Sequence, residues 1–177
     1  DSMREVVLKE GKVLDAIMAT IAIPGVFPPK KWGDHMLVDG GVLDPVPVEV
    51  ARSLAPGIPV VAVSLSPPKD MWSELPAPKL FSEPPLLKPI SNLRVAQAFE
   101  IFIRSVELGT HMLSETRLEI EHPDLIIRPD VCEIGPLDKV DVREIASRGD
   151  RAVEAVLPEL RQLVRRKGLF SRIFPGK

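Results

Sequence analysis

The chain has 177 residues, 45% of them hydrophobic and 27% charged, with a formal net charge of −2. That length suits one domain with a sizeable core, and the apolar content excludes an intrinsically disordered chain. There is no run of 18 apolar residues and no signal-peptide pattern at the start, so a spanning or exported protein is not expected and the reading is cytoplasmic.

Residues 5–8 read as a short strand, and Val13 to Ile21 as a short helix, since Val13, Ile17 and Thr20 or Ile21 recur at helical spacing. Pro24 and Gly25 end it. Phe27–Trp32 and His35–Val38 flank Gly33-Asp34, which predicts two strands joined by a tight turn. Asp39-Gly40-Gly41 follows directly, then a helix over Val46–Leu54 with Pro45 and Pro47 near its start, where a missing amide hydrogen costs little. Val60–Leu65 is nearly continuous in apolar and β-branched residues, which predicts a strand covered on both faces in a parallel sheet. Residues 66–89 hold seven prolines and read as a loop or lid, its apolar residues (Met71, Trp72, Leu75, Leu80, Phe81, Leu86 and Leu87) pinned to the core in preference to forming a lid or an acyl-chain groove.

A long amphipathic helix is predicted over Ser91–Glu119, with Val95, Phe99, Phe102, Val106 and Leu113 inward and Arg94, Gln97, Glu100, Arg104, Glu107, His111 and Glu115 outward. Leu125–Arg128 is a last short strand. Asp141 with Glu144 resembles a capping box opening a helix that Gly149 terminates. Asp150 caps another helix to Lys167, kinked at Pro158. Strands alternating with helices define an α/β layered fold with a largely parallel sheet. Four or five short strands are few for a complete sheet, and part of the fold is expected to precede Asp1.

Asp39-Gly40-Gly41 is the local signal with chemical content. A carboxylate after a strand, followed by glycines, sits where open α/β sheets place their sites, and glycines allow close backbone approach. The same three residues also make an ordinary tight turn. Their surroundings are more specific: residues 14–29 read Leu-Asp-Ala-Ile-Met-Ala-Thr-Ile-Ala-Ile-Pro-Gly-Val-Phe-Pro-Pro, and residues 37–48 Leu-Val-Asp-Gly-Gly-Val-Leu-Asp-Pro-Val-Pro-Val. This resembles the patatin-like phospholipase family, in particular bacterial members related to neuropathy target esterase. The resemblance continues through Val60–Ser66, Ile127-Arg128-Pro129-Asp130, Gly135 and the helix Gly149…Ala152…Ala155.

The resemblance implies a three-layer α/β/α patatin-type fold and a serine esterase or phospholipase working with a Ser–Asp dyad. Asp39 would be the general base, and Gly40 and Gly41 the motif backbone. A serine hydroxyl is a poor nucleophile until a base takes its proton, and flanking Met36, Leu37, Val38, Val42 and Leu43 are expected to desolvate Asp39 into a stronger base. No Gly-x-Ser-x-Gly and no Gly-x-Gly-x-x-Gly occurs in the 177 residues, whereas both precede this region in the family. Residues 1–177 are therefore expected to be the C-terminal portion of one patatin-like domain, inactive alone. The partners implied are a lipid or acyl ester substrate and an N-terminal half in the same or a separate chain. The alternative is a non-catalytic fragment acting as a binding or interaction module. An aspartate nucleophile for phosphoryl transfer is excluded because no second carboxylate lies two residues from Asp39.

The remaining candidates take plainer readings. Asp44, before Pro45, is read as a turn former in preference to a residue that orients Asp39. His35 is a surface or turn residue, His111 and His122 are solvated, and Ser64 and Ser66 are strand-end residues. Cys132 is a small buried hydrophobe and excludes a disulfide scaffold; with three scattered histidines no metal site or other cofactor is implied. The near-neutral charge argues against nucleic acid. Arg161, Arg165, Arg166, Lys167, Arg172 and Lys177 have no acid among them, leaving −8 on residues 1–160. With Leu163, Val164, Leu169, Phe170, Ile173 and Phe174, the tail Arg161–Lys177, including its last residues 168–177, suits a peripheral contact with an anionic membrane; the preferred reading is a solvated helix end plus a disordered terminus, with the apolar residues packing on the domain.

Overall fold

A computed structural model describes residues 4–74, 90–135 and 138–166. Helix α1 (Val13–Thr20) leads through the Pro24-Gly25 turn to strands β1 (Lys30–Trp32) and β2 (His35–Leu37). These pair antiparallel, with Trp32 opposite His35. The two-residue turn between them is possible because Gly33 takes φ +58, the left-handed conformation that a hairpin turn of this length demands. A 3₁₀ turn (Gly40–Val42) and helix α2 (Val48–Leu54) follow, then β3 (Val61–Val63) and a 3₁₀ segment (Lys69–Glu74). The long helix α3 (Ile90–Glu121), strand β4 (Leu125–Ile127) and helices α4 (Val142–Ala155) and α5 (Leu157–Arg166) complete the order.

The chain is α/β, as expected, and β3 and β4 pair in parallel with Val61 opposite Leu125 and Val63 opposite Ile127. The described strands form two separate two-stranded sheets, so Asp39 follows a strand of the antiparallel hairpin and not one of the parallel pair. Residues 5–8 join neither sheet. The core at the parallel pair is small: Val48 of α2, Ala62 of β3 and Leu118 of α3, flanked by Val46, Val60 and Ile126. Burying a side chain such as Leu118 contributes about 2 kcal/mol. The cover expected on both faces of β3 is incomplete, since Val63 remains 54% exposed and the following Leu65 64%. Helix α1 likewise leaves Val13, Leu14, Ile17 and Met18 exposed.

Helix α3 presents a different stripe from the one its apolar residues suggest. Ile103, Ser114, Leu118 and Glu121 are buried, whereas Phe102 is exposed. Those four lie at i, i+11, i+15 and i+18, one face of a 3.6-residue period. Glu121 is buried on this face because the Glu49 amide of α2 and the Arg117 guanidinium meet its two carboxylate oxygens. Residues 90–97 and Glu100, on which part of the inward and outward assignment fell, have side chains outside the described set.

Gly149 does not end a helix. Helix α4 runs through it to Ala155, and Asp141 caps the start by accepting the Arg143 amide at 2.9 Å. Glu144 does not complete a capping box; with Glu133 it holds the neighbouring Arg148, whose Nη1 also donates to the Asp130 carbonyl at 2.9 Å. A mid-helix glycine costs about 1 kcal/mol relative to alanine, and that anchor offsets it. The break comes instead at Val156, with Pro158 at the second position of α5, where its missing amide hydrogen is harmless.

Candidate functional site

Asp39 occupies the position before the 3₁₀ turn, and its own amide donates to the Ala22 carbonyl at 3.0 Å. Its Oδ1 accepts the Gly41 amide at 2.8 Å. The cap satisfies an amide that the short turn leaves free. It also fixes the carboxylate while Oδ2 takes no hydrogen bond among the described residues. A Cβ on Gly41 would lie 3.1 Å from Oδ1, and one on Gly40 would meet nothing within 4 Å. Glycine at 41 thus permits the close cap, and the space beside Gly40 stays open to an approaching group.

The apolar wall expected around Asp39 is not assembled by the described residues. Met36, Val38, Val42 and Leu43 are all exposed, and Asp39 itself is half-buried. Two open clefts, of about 300 and 460 Å³, are lined by Gly11, Lys12, Asp15, Lys30, Lys31, Trp32 and Gly33 and by residues 7–10 with Trp32; Asp39 lines neither.

Asp44 follows the same turn, its amide donating to the Gly40 carbonyl at 2.9 Å. It does more than form a turn, because the residue is only 7% exposed and its Oδ1 has no partner among the described residues. Around it, Arg117 Nη1 pairs with Glu121 Oε1 at 2.8 Å, and Nη2 donates to the Leu43 carbonyl at 3.4 Å. Glu121 Oε2 accepts the Glu49 amide at 3.0 Å. It serves as the cap of α2, which opens on Pro47 without a side-chain cap of its own. Arg52 ties α2 back to the Glu121 and His122 carbonyls, each at 3.0 Å.

A second constellation forms at the carboxyl ends of β3 and β4. Arg128 makes a two-pronged pair with Glu115, at 2.8 and 3.0 Å, and donates to the Ser66 carbonyl at 2.9 Å and Ser64 Oγ at 3.3 Å. Ser66 Oγ lies 3.0 Å from His111 Nδ1, and His111 Nε2 lies 4.0 Å from Glu107 Oε1. Burial pushes His111 below its ordinary value of 6.5, against the pull of Glu107 and Glu115, so the ring is neutral at pH 7 and able to accept a proton. Sequence reasoning placed His111 and Glu115 in solvent; the structure corrects both, and Glu115 is only 6% exposed. The signal for this grouping was the apolar β3 strand, whose carboxyl end had to face whatever packed across it. Pro67 and Pro68 follow Ser66, so neither supplies an amide that would bind an oxyanion beside it.

His35 and His122 are exposed, as expected, and Cys132 is half-buried, its thiol pushed up by burial. Trp72 Nε1 donates to the Pro67 carbonyl at 3.0 Å, pinning the start of the proline-rich segment. Residues 75–89 and the tail 168–177 lie outside the described residues. No metal-binding group of three or more His, Cys, Asp or Glu occurs among the described residues. None of their helices is long and apolar enough to cross a membrane.

Fold and motif together define an α/β chain whose most distinctive feature is a capped aspartate on a diglycine turn. Residues 3–52, which span α1, the hairpin and that turn, match the family model described as patatin-like phospholipase. Along 170 residues the chain is 28% identical to uncharacterized NTE family proteins of Mycobacterium tuberculosis and Mycobacterium bovis, covering 91% of this chain and 28% of theirs. A further NTE family protein of M. tuberculosis is 38% identical over 63 residues, 36% of this chain and 17% of the relative. The likeness to patatin-like phospholipases lies in residues 3–52, and the chain spans about 28% of the length of the first of these relatives.

Proposed function

We propose that the chain is the aspartate-bearing, C-terminal portion of a patatin-like domain that hydrolyses lipid acyl esters, with the nucleophilic serine supplied by polypeptide outside residues 1–177. One observation carries the reading: Asp39 is held through Oδ1 by the Gly41 amide at 2.8 Å, Oδ2 takes no hydrogen bond among the described residues, and a Cβ on the adjoining Gly40 would meet nothing within 4 Å. A carboxylate so fixed is oriented for one incoming hydroxyl. Further support comes from the uncovered face of β3, the exposed apolar side of α1, and the match of residues 3–52 to patatin-like phospholipases.

In this mechanism the serine hydroxyl donates to Asp39 Oδ2 and passes its proton there as Oγ attacks the ester carbonyl. The tetrahedral oxyanion collapses, and the leaving alkoxide takes the proton from Asp39. Water, deprotonated by the same carboxylate, then attacks the acyl-serine; the acid departs and the serine regains its proton. No cofactor enters these steps. A phospholipid or lysophospholipid substrate suits the family resemblance, and a cytoplasmic protein meeting the membrane through the tail at 161–177 suits the six positive charges of that tail.

The Ser66–His111 contact favours a second reading, in which this chain carries its own nucleophile. Treating the intact protein with a fluorophosphonate and mapping the adduct separates the two. A single adduct on a serine outside these 177 residues is expected. An adduct on Ser66 transfers the chemistry to Ser66–His111, and no adduct on any serine leaves a binding module.

A further inference from the structure

We propose that Arg117 is a positioning residue for Asp39, locking the diglycine turn to the C-terminal end of α3 with the buried Asp44 carboxyl beside it. The inference rests on the reading of Asp39 as the general base. The turn has two ends. At one, Asp39 accepts the Gly41 amide; at the other, the Leu43 and Asp44 amides both donate to the Gly40 carbonyl at 2.9 Å. The second end is held from outside, because Arg117 reaches the Leu43 carbonyl with one guanidinium nitrogen and Glu121 with another. Glu121 is in turn fixed by the α2 amide of Glu49, and Arg52 clamps the same helix end. Any displacement of α3 against α2 therefore reaches the Asp39 backbone within five residues.

Asp44 places a buried, protonation-sensitive carboxyl beside this lock. A carboxylate with one desolvated, unpartnered oxygen next to a second buried carboxylate is unstable as an anion. Burial first, then Glu121 on α3 and Glu5 on the N-terminal segment, push Asp44 above its ordinary 3.8, while Arg117 on α3 and the Val46 amide pull the other way. An aspartate raised in this direction holds more protons folded than unfolded. Stability therefore falls as pH rises from the unfolded value through the folded one. Asp44→Asn keeps the shape, lacks the titrating proton and should remove that slope.

The test uses the intact protein, with a water-soluble acyl ester as probe and thermal melts across pH. Arg117→Met is expected to lower kcat about tenfold with KM unchanged, the signature of a displaced catalytic group. Arg117→Lys should recover to within about threefold, since one of the two contacts returns. Asp44→Asn should retain activity, and its melting midpoint should gain about 3 °C on the wild type between pH 4 and pH 7. An active wild type whose Arg117→Met variant keeps its kcat, or an Asp44→Asn whose midpoint tracks the wild type across pH, overturns the proposal. A wild type with no esterase activity overturns instead the reading on which it rests.

Discussion

Asp39→Asn is expected to lower ester hydrolysis by the intact protein about a thousandfold while leaving its melting temperature unchanged. The two halves of that result have separate causes. Asparagine caps a turn about as well as aspartate, because its side-chain carbonyl can accept the Gly41 amide that Asp39 Oδ1 now accepts at 2.8 Å. The second position becomes an amide NH2, which cannot take a proton from a hydroxyl, and loss of a general base costs about 10²–10⁴ in rate. A variant that loses activity and stability together would mean that the carboxylate is chiefly a turn former. The competing tight-turn reading of Asp-Gly-Gly thus makes a different prediction for the same substitution.

Arg128→Met should destabilise the fold by about 3 kcal/mol, the lower end of the range for breaking a buried ion pair. Glu115, 6% exposed, would be left as a buried charge without its partner, and the Ser66 carbonyl would lose its 2.9 Å donor. Arg128 keeps 27% of its side-chain surface exposed, so water can partly reach the gap and the full penalty is not expected. For a domain of this size the change corresponds to about 10 °C in melting temperature, read by differential scanning calorimetry. Glu115→Gln preserves most of the hydrogen bonds without the buried charge and should cost about 1 kcal/mol. If both substitutions cost the same small amount, the pair is not what holds α3 across the carboxyl ends of β3 and β4.

Local chemistry was legible from the residues alone. Gly33-Asp34 announced the hairpin, Pro47 the start of α2, and Asp39-Gly40-Gly41 the turn with its carboxylate; in each the cause lies within a few residues of the effect. What sequence could not supply was the partner across a long separation. His111 meets Ser66 45 positions away, and Glu49 meets Glu121 72 positions away. Helical spacing alone put His111 and Glu115 on the charged side of α3, and charged sides are solvated unless another buried charge waits opposite. Arg128 waits there, placed by the parallel pairing of β4 with β3. Asp44 was hidden for a similar reason: a residue before proline reads as a turn, and only the packing of α3 shows its carboxyl enclosed. Gly149 misled in the other direction, since its helix-breaking tendency was outweighed by the contacts of Arg148 beside it.

The reach of Asp39 Oδ2 is the quantity on which the account turns. A crystal structure of the intact protein should place a serine Oγ from outside residues 1–177 within about 3 Å of Oδ2, the hydrogen-bonding range of a general base. The Gly41 amide should still be bound to Oδ1. Finding Oδ2 bonded within its own turn, or every serine hydroxyl more than about 6 Å away with the surrounding sheet complete, would contradict it.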